Sequence, residues 1–206
     1  MNLQPATCNE ALVMSKGKGH LFVVSGPSGS GKTTLIEKLL KEDGNTVFSV
    51  SYTTRSPRPN ERHGKDYYFT DAATFERMIA ESGFLEWESV HGYLYGTPVR
   101  EVTEPLEKGI DVVLDIDVKG ALRVMERCPQ ACLIFIEPPS VEELTKRLSI
   151  RGEKEIEKRM QRVKEEMEKK HLFTFTVRND NVFNAFKDFR SIISSVRGQS
   201  NGENHR

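Results

Sequence analysis

Little in this chain is extreme, and each thing it lacks removes a class of protein. Of its 206 residues, 30 are Lys or Arg and 30 are Asp or Glu, so the formal net charge is zero. A chain without a basic excess lacks the electrostatic footprint by which proteins grip nucleic acid, and no such partner is expected. No apolar run approaches the roughly 18 residues that a membrane-crossing helix needs. Met1 to Lys18 has no continuous apolar stretch of the kind a secretory leader carries. The three cysteines, Cys8, Cys128 and Cys132, are odd in number and lack the spacing of a zinc site, which speaks against a disulfide framework and for a reduced, cytoplasmic setting. The five histidines are scattered through turns, helix ends and the tail; a lone histidine is usually structural or solvated, and none is assigned a role. With 37% hydrophobic residues the chain can still bury one substantial core.

What is present is a strand, a glycine-rich turn and a helix in immediate succession. The apolar run Leu21 to Val24 leads into Gly26-Pro27-Ser28-Gly29-Ser30-Gly31-Lys32-Thr33, and Thr34 to Leu40 continues as helix. The spacing is G-x-x-x-x-G-K-[ST]. Its glycines let successive backbone N–H groups turn inward on a polyphosphate, and the positive end of the helix dipole adds to the attraction. In such a loop Lys32 reaches the outer phosphates and Thr33 holds Mg²⁺, so a nucleoside triphosphate is expected here. The loop alone does not say what becomes of the phosphate, since ATPases, GTPases and small-molecule kinases share it.

The segment SYTTRSPRPNERHGKDY at 51–67 narrows the choice. Arg55, Arg58 and Arg62 lie among prolines and polar turn residues, with Tyr67 close behind. Guanidinium forks grip phosphate bidentately and a tyrosine hydroxyl completes its hydrogen bonding. After a triphosphate loop, this reads as a separate monophosphate site rather than a solvated basic loop.

From about Leu21 to about Arg190 the chain resembles the guanylate kinases, which transfer the terminal phosphate of ATP to GMP. The resemblance rests on GPSGSGKTT at 26–34, TTRSPRPNERHGKDY at 53–67, FLEWESVHGYLYGT at 84–97, VVLDIDVKGA at 112–121, FIEPPSVEELTKRLSIRG at 135–152 and Arg178-Asn179-Asp180. It implies that Gly26 to Thr34 and Asn179 contact ATP. It further implies that Glu86, Thr97, Ser51 and Asp117 read the guanine, and that Arg55, Arg58, Tyr67 and Tyr95 hold the GMP phosphate. The chemistry is consistent with this: guanine offers two adjacent donors that one carboxylate can accept together, whereas adenine would set a lone pair against Glu86. Asp115, ending an apolar run, resembles a Walker B aspartate that orients Mg²⁺ beside Thr33. On the residues alone, a strand-end aspartate could equally cap the helix expected over 118–127.

Ser140 and Glu143 form a capping box that starts a helix. Within the charged stretch that follows, the resemblance implies a mobile lid whose Arg147, Arg151 and Arg159 close over the phosphates as the catalytic cations, together with Lys32. Between Arg151-Gly152 and Arg159 the chain is shorter than the family's usual lid, and Arg162, one helical turn on, competes with Arg159 for the third position. Phenylalanines and Arg178 also stand before Asn179 where the family places an aspartate-tyrosine pair.

The expected fold is α/β: a P-loop NTPase doubly wound parallel sheet core with an inserted GMP-binding subdomain and a helical lid. Strands are expected near 20–25, 47–50, 110–115, 131–136 and 174–178, and helices near 32–42, 98–108, 118–127, 139–151 and 181–196. In domain terms, a flexible segment at 1–17 precedes a kinase-like domain at 18–197, followed by a flexible tail at 198–206. The core spans 18–50, 98–141 and 171–197, the GMP-binding insertion 51–97 and the lid 142–170. Residues 1–13 show neither motif nor periodicity, so Met14 is an alternative start. Two other readings stay open: a binding module that keeps this fold without phosphoryl transfer, and a related kinase acting on another acceptor such as a phosphorylated ribose. The intact Gly31-Lys32-Thr33 argues against the first, and Glu86, Thr97 and Ser51 against the second.

Overall fold

The computed structural model describes residues 19–90, 92–140, 143–144 and 156–202, with side chains described for all of these except 156–159 and 200–202. Five strands form a wholly parallel sheet: β1 (Leu21–Ser25), β2 (Thr46–Phe48), β7 (Asp111–Asp115), β8 (Cys132–Glu137) and β9 (Phe175–Arg178), in the order β2-β7-β1-β8-β9. They match the five strands expected from the apolar runs. The central strand explains why those runs are nearly unbroken. Leu21 and Val23 join one cluster with Val102, Val118, Ala121 and Val124, while Phe22 and Val24 join another with Leu35, Leu39, Phe186 and Phe189. A parallel sheet covered by helices on both faces needs apolar side chains at every position, so no polar alternation shows in the sequence.

Those covering helices are α1 (Lys32–Glu42) and α6 (Val182–Gly202) on one face, and α3 (Val99–Glu107) and α4 (Val118–Arg127) on the other. The chain moves from β1 outward to β2, returns to β7, and only then crosses to β8 on the far side of β1. The order therefore reverses at the β1/β7 boundary, and the carboxyl ends there open a crevice where α/β folds bind ligands. A second sheet in the order β4-β3-β6-β5 stands beside it, from β3 (Tyr52–Thr53), β4 (Tyr68–Phe69), β5 (Phe84–Val90) and β6 (Tyr93–Pro98), with α2 (Ala72–Ala80) between β4 and β5. Phe75 of α2 stacks on Phe84 of β5 at 4.4 Å between ring centroids, fastening helix to sheet.

At the start of the segment expected to form the lid, the Glu143 N–H donates to Ser140 Oγ at 3.1 Å, one half of the capping box. Leu144 packs on Val163 of α5 (Ile156–Glu168). Most of the helix expected over 139–151, with Arg147 and Arg151, lies outside the described residues. Among the described residues no helix is long and apolar enough to cross a membrane.

Two expectations need correction. Cys128 is disulfide-bonded, and among the described residues the free cysteine is Cys132, buried in the core; an odd number of cysteines does not exclude a single bridge. The last helix runs on to Gly202 rather than stopping near 196, so the stretch from 198 read as a loose tail begins as helix. An ion cluster anchors this helix to the sheet at Arg197. Arg197 donates from Nε to Asp111 Oδ2 and from Nη2 to Asp43 Oδ2, both at 2.6 Å, and to Thr46 Oγ1 at 2.9 Å. The other Asp111 oxygen accepts the His20 backbone N–H at 2.7 Å.

Burial pushes the Asp111 carboxyl up, but the bonds from His20 and Arg197 outweigh it and leave the group below its ordinary value; Asp43 is likewise lowered. Carboxyls depressed on folding contribute stability above their unfolded values and lose it as pH falls through the folded ones. Arg197→Ala is accordingly expected to cost about 2 to 3 kcal/mol at neutral pH, less than a fully buried pair because the arginine is partly open to water. The gap between native and variant melting temperatures should narrow as pH falls below about 4. A gap that stays constant from pH 7 to pH 3 would mean the cluster carries no such linkage.

Candidate active site

The turn after β1 is built on left-handed backbone at Gly26, Gly29 and Gly31. Gly31 has no substitute: its φ is +94°, and a Cβ there would stand 2.2 Å from the Asn179 amide nitrogen. That nitrogen donates to the Ser30 carbonyl at 2.7 Å, and the Asn179 N–H donates to the Glu137 carbonyl at 2.8 Å. Asn179 is only 3% exposed. The side chain expected to touch adenine therefore braces the turn from beneath, joining the end of β9 to the start of α1. Ser28 and Thr34 stand exposed on the loop, while Pro27 and Ser30 are buried in it.

Lys32 and Thr33 open α1, and Asp115 ends β7 directly beside them, since Val24 pairs with Asp115 in the sheet. The Thr33 hydroxyl donates to Asp115 Oδ2 at 3.4 Å, and Lys32 Nζ lies 3.9 Å from Oδ1 while donating to the Gly26 carbonyl at 2.7 Å. Burial raises the Asp115 carboxyl, with Lys32 and Thr33 acting against it. A hydroxyl, a carboxylate and an ammonium thus meet at the mouth of an anion-binding turn. Asp117, not Asp115, caps α4: its Oδ1 accepts the Gly120 N–H at 2.7 Å. The capping role weighed for Asp115 falls two residues later, which leaves Asp115 facing the turn.

Across the crevice, Arg55 donates from Nε to the Tyr95 hydroxyl at 3.1 Å, and its guanidinium lies over the Tyr67 ring. Tyr67 and Tyr95 meet edge to face. Burial pushes the Tyr67 phenol up to about 12, with the nearby Asp115 and Tyr95 adding to it, so the hydroxyl keeps its proton as a donor. Arg55, Tyr67 and Tyr95 form one group, whereas the Arg58 side chain is exposed at its edge. The sequence reading missed Glu61, which accepts from Arg55 Nη2 at 2.8 and 2.9 Å and from the Arg58 N–H at 2.8 Å. A carboxylate set between Arg58 and Arg62 was its only signal.

Deeper in, the β5–β6 register sets Glu86 opposite Thr97, and the Thr97 hydroxyl donates to Glu86 Oε1 at 2.7 Å. Glu86 is 5% exposed, and burial pushes its carboxyl up to about 7, with Thr97 opposing and Asp117 adding to the rise. A hydroxyl has one proton to give, so in this state Thr97 orients the carboxylate. Ser51 is half-buried immediately before β3. The structure thus gathers Glu86, Thr97 and Asp117 into one cluster beside the first turn of α4. Of the arginines expected in the lid, Arg147, Arg151 and the Arg159 side chain lie outside what is described; Arg162 donates to Asp117 Oδ2 at 2.7 Å.

Comparison with known proteins supplies an independent line. A family model described as guanylate kinase matches residues 18–196. A guanylate kinase of Thermus thermophilus is 45% identical over 186 residues, covering 89% of this chain and 84% of the relative. One from Clostridium tetani is 46% identical over 183 residues, covering 87% and 88%. The crystal structure of guanylate kinase from Anaplasma phagocytophilum superposes with a TM-score of 0.75 at 32% identity, covering 87% of this chain and 86% of that one.

Proposed function

Because the chain belongs to the guanylate kinase family, its reaction is the phosphorylation of GMP by ATP, and we propose the following division of labour among its residues. The turn from Gly26 to Thr34 cradles the ATP phosphates with backbone N–H groups, and Lys32 places a positive charge on the outer ones. Arg55, Arg58, Tyr67 and Tyr95 hold the GMP phosphate. Glu86 accepts both guanine donors, with Thr97, Ser51 and Asp117 completing the contacts to the base.

The buried Glu86 carboxylate, held by Thr97 beside Asp117, is the observation that carries the choice of guanine. An acceptor lacking two adjacent donors would leave that carboxylate unpaired in a dry pocket, at a cost of about 1 to 3 kcal/mol. When guanine takes over Glu86, the Thr97 proton is released and can turn to the base carbonyl.

Thr33 and Asp115 supply hard oxygen donors, which suit Mg²⁺ carried largely by nucleotide phosphates and water. When bound, the ion neutralises charge on the phosphates being separated. The chain's own residues align two anions and offset their repulsion. The attacking phosphate oxygen of GMP is already ionised at neutral pH, so no protein base is required. Arg147, Arg151 and Arg159 are proposed to bring further positive charge when the lid closes.

The test is a coupled assay with ATP across GMP, dGMP, AMP, CMP and UMP. Turnover confined to the guanine nucleotides is expected. Equal turnover of AMP would remove Glu86 from the base pocket, and no turnover of any acceptor would favour a binding module.

A further inference from the structure

The guanine wall holds a charged contact that phosphoryl transfer does not use. Arg162 on α5 donates from Nη2 to Asp117 Oδ2 at 2.7 Å and from Nε to Glu166 Oε1 at 2.9 Å. Asp117 already accepts the Gly120 N–H on Oδ1. Each Asp117 oxygen therefore has one fixed donor, from two different helices, and the plane of the carboxylate is set. Behind it, a Cβ on Gly120 would stand 2.8 Å from Glu86 Oε2 and 3.3 Å from Asp117 Oδ1, so two carboxylates converge on the first turn of α4. Like charges this close oppose one another unless cations answer them. Arg123 pairs with Glu88 at 2.7 Å and donates to the Trp87 carbonyl on the Glu86 side. Arg162 is the cation bonded to Asp117 itself.

We propose that Arg162 is a positioning residue for the acceptor base, holding Asp117 toward the guanine and offsetting its charge beside Glu86. The proposal rests on the assignment of Glu86 and Asp117 to GMP. It also separates Arg162 from Arg147, Arg151 and Arg159: its two described contacts are Asp117 and, within α5, Glu166, and neither is on the glycine-rich turn. Because α5 lies within the segment 142–170 expected to form the lid and packs on its Leu144, the contact links base recognition to that segment.

Steady-state kinetics of Arg162→Ala and Arg162→Lys test this, with Glu86→Gln as the control for the underlying assignment. Arg162→Ala is expected to raise the KM for GMP about 10-fold while kcat and the KM for ATP change by less than about 3-fold. Arg162→Lys should recover part of the loss, because an ammonium keeps the charge but not the fork. In an Asp117→Asn background the further effect of Arg162→Ala should shrink to less than about 2-fold, since the charge it answers is gone. Equal rises in both KM values, or full additivity with Asp117→Asn, would reduce Arg162 to a docking contact for α5 and overturn the proposal. An unchanged KM for GMP beside a raised one in Glu86→Gln overturns it and leaves the guanine assignment standing. If Glu86→Gln is silent as well, both fall.

Discussion

Lys32→Ala is expected to turn over GMP on the order of 10² to 10³ times more slowly than the native chain at saturating ATP and GMP. The ammonium is the one charged side chain that sits at the turn itself, donating to the Gly26 carbonyl and lying 3.9 Å from Asp115. Transfer of a phosphoryl group gathers negative charge between two anions. A preplaced point charge in a site screened from water lowers that barrier more than it lowers the energy of bound ATP. Truncation also leaves the half-buried Asp115 carboxylate without its cation, adding repulsion where phosphates must come. The fold should survive, because the lysine's partners are loop carbonyls and a carboxylate at the crevice mouth, not the two apolar clusters. A coupled assay with thermal melting checks both halves. Activity within a few-fold of native in a folded variant would sink the assignment of this turn to ATP.

Glu86→Gln should raise the KM for GMP by roughly 10- to 100-fold and leave the KM for ATP nearly unchanged. Glutamine keeps one acceptor but turns an amino group toward the second guanine donor, and the pocket is too buried for water to relieve the clash. The pH dependence gives a second readout. Burial, aided by Asp117, holds the Glu86 carboxyl up to about 7. Below that value the carboxyl carries a proton that must leave before both guanine donors can be accepted. The KM for GMP in the native protein should therefore rise as pH falls from about 8 to 6, by up to about 10-fold per unit well below the midpoint. In Glu86→Gln, which has no proton to lose, the same profile should be nearly flat. Parallel profiles in the two proteins would place the titrating group elsewhere.

Much of this was legible in the chain because it is local. The glycine-rich turn, Lys32 and Thr33 are contiguous. The buried strands show as apolar runs, and Ser140 with Glu143 announces a helix start, because backbone conformation and burial are set by near neighbours. The Walker-like Asp115 could be found as well, since a strand's carboxyl end is where its apolar run stops; that the cap falls on Asp117 could not, because it depends on where α4 begins to turn.

Side chains meeting across elements were not legible. Asn179 bonds to Ser30 from 149 residues away, Arg162 to Asp117 from 45, and Arg197 to Asp111 from 86. Nothing in a charged helix distinguishes the one arginine aimed at an aspartate from its solvated neighbours. Only strand register, helix packing and the order β2-β7-β1-β8-β9 decide which face meets which. The sequence by itself determined the nucleotide-binding turn, the buried strands and the residue types for gripping two phosphates and a purine, because those rest on local conformation and chemical type. The tertiary structure alone decided that Asn179 braces the turn, that Glu61 grips Arg55, and that Arg162 meets Asp117, because a side-chain contact exists only once folding has brought its partners within hydrogen-bond reach.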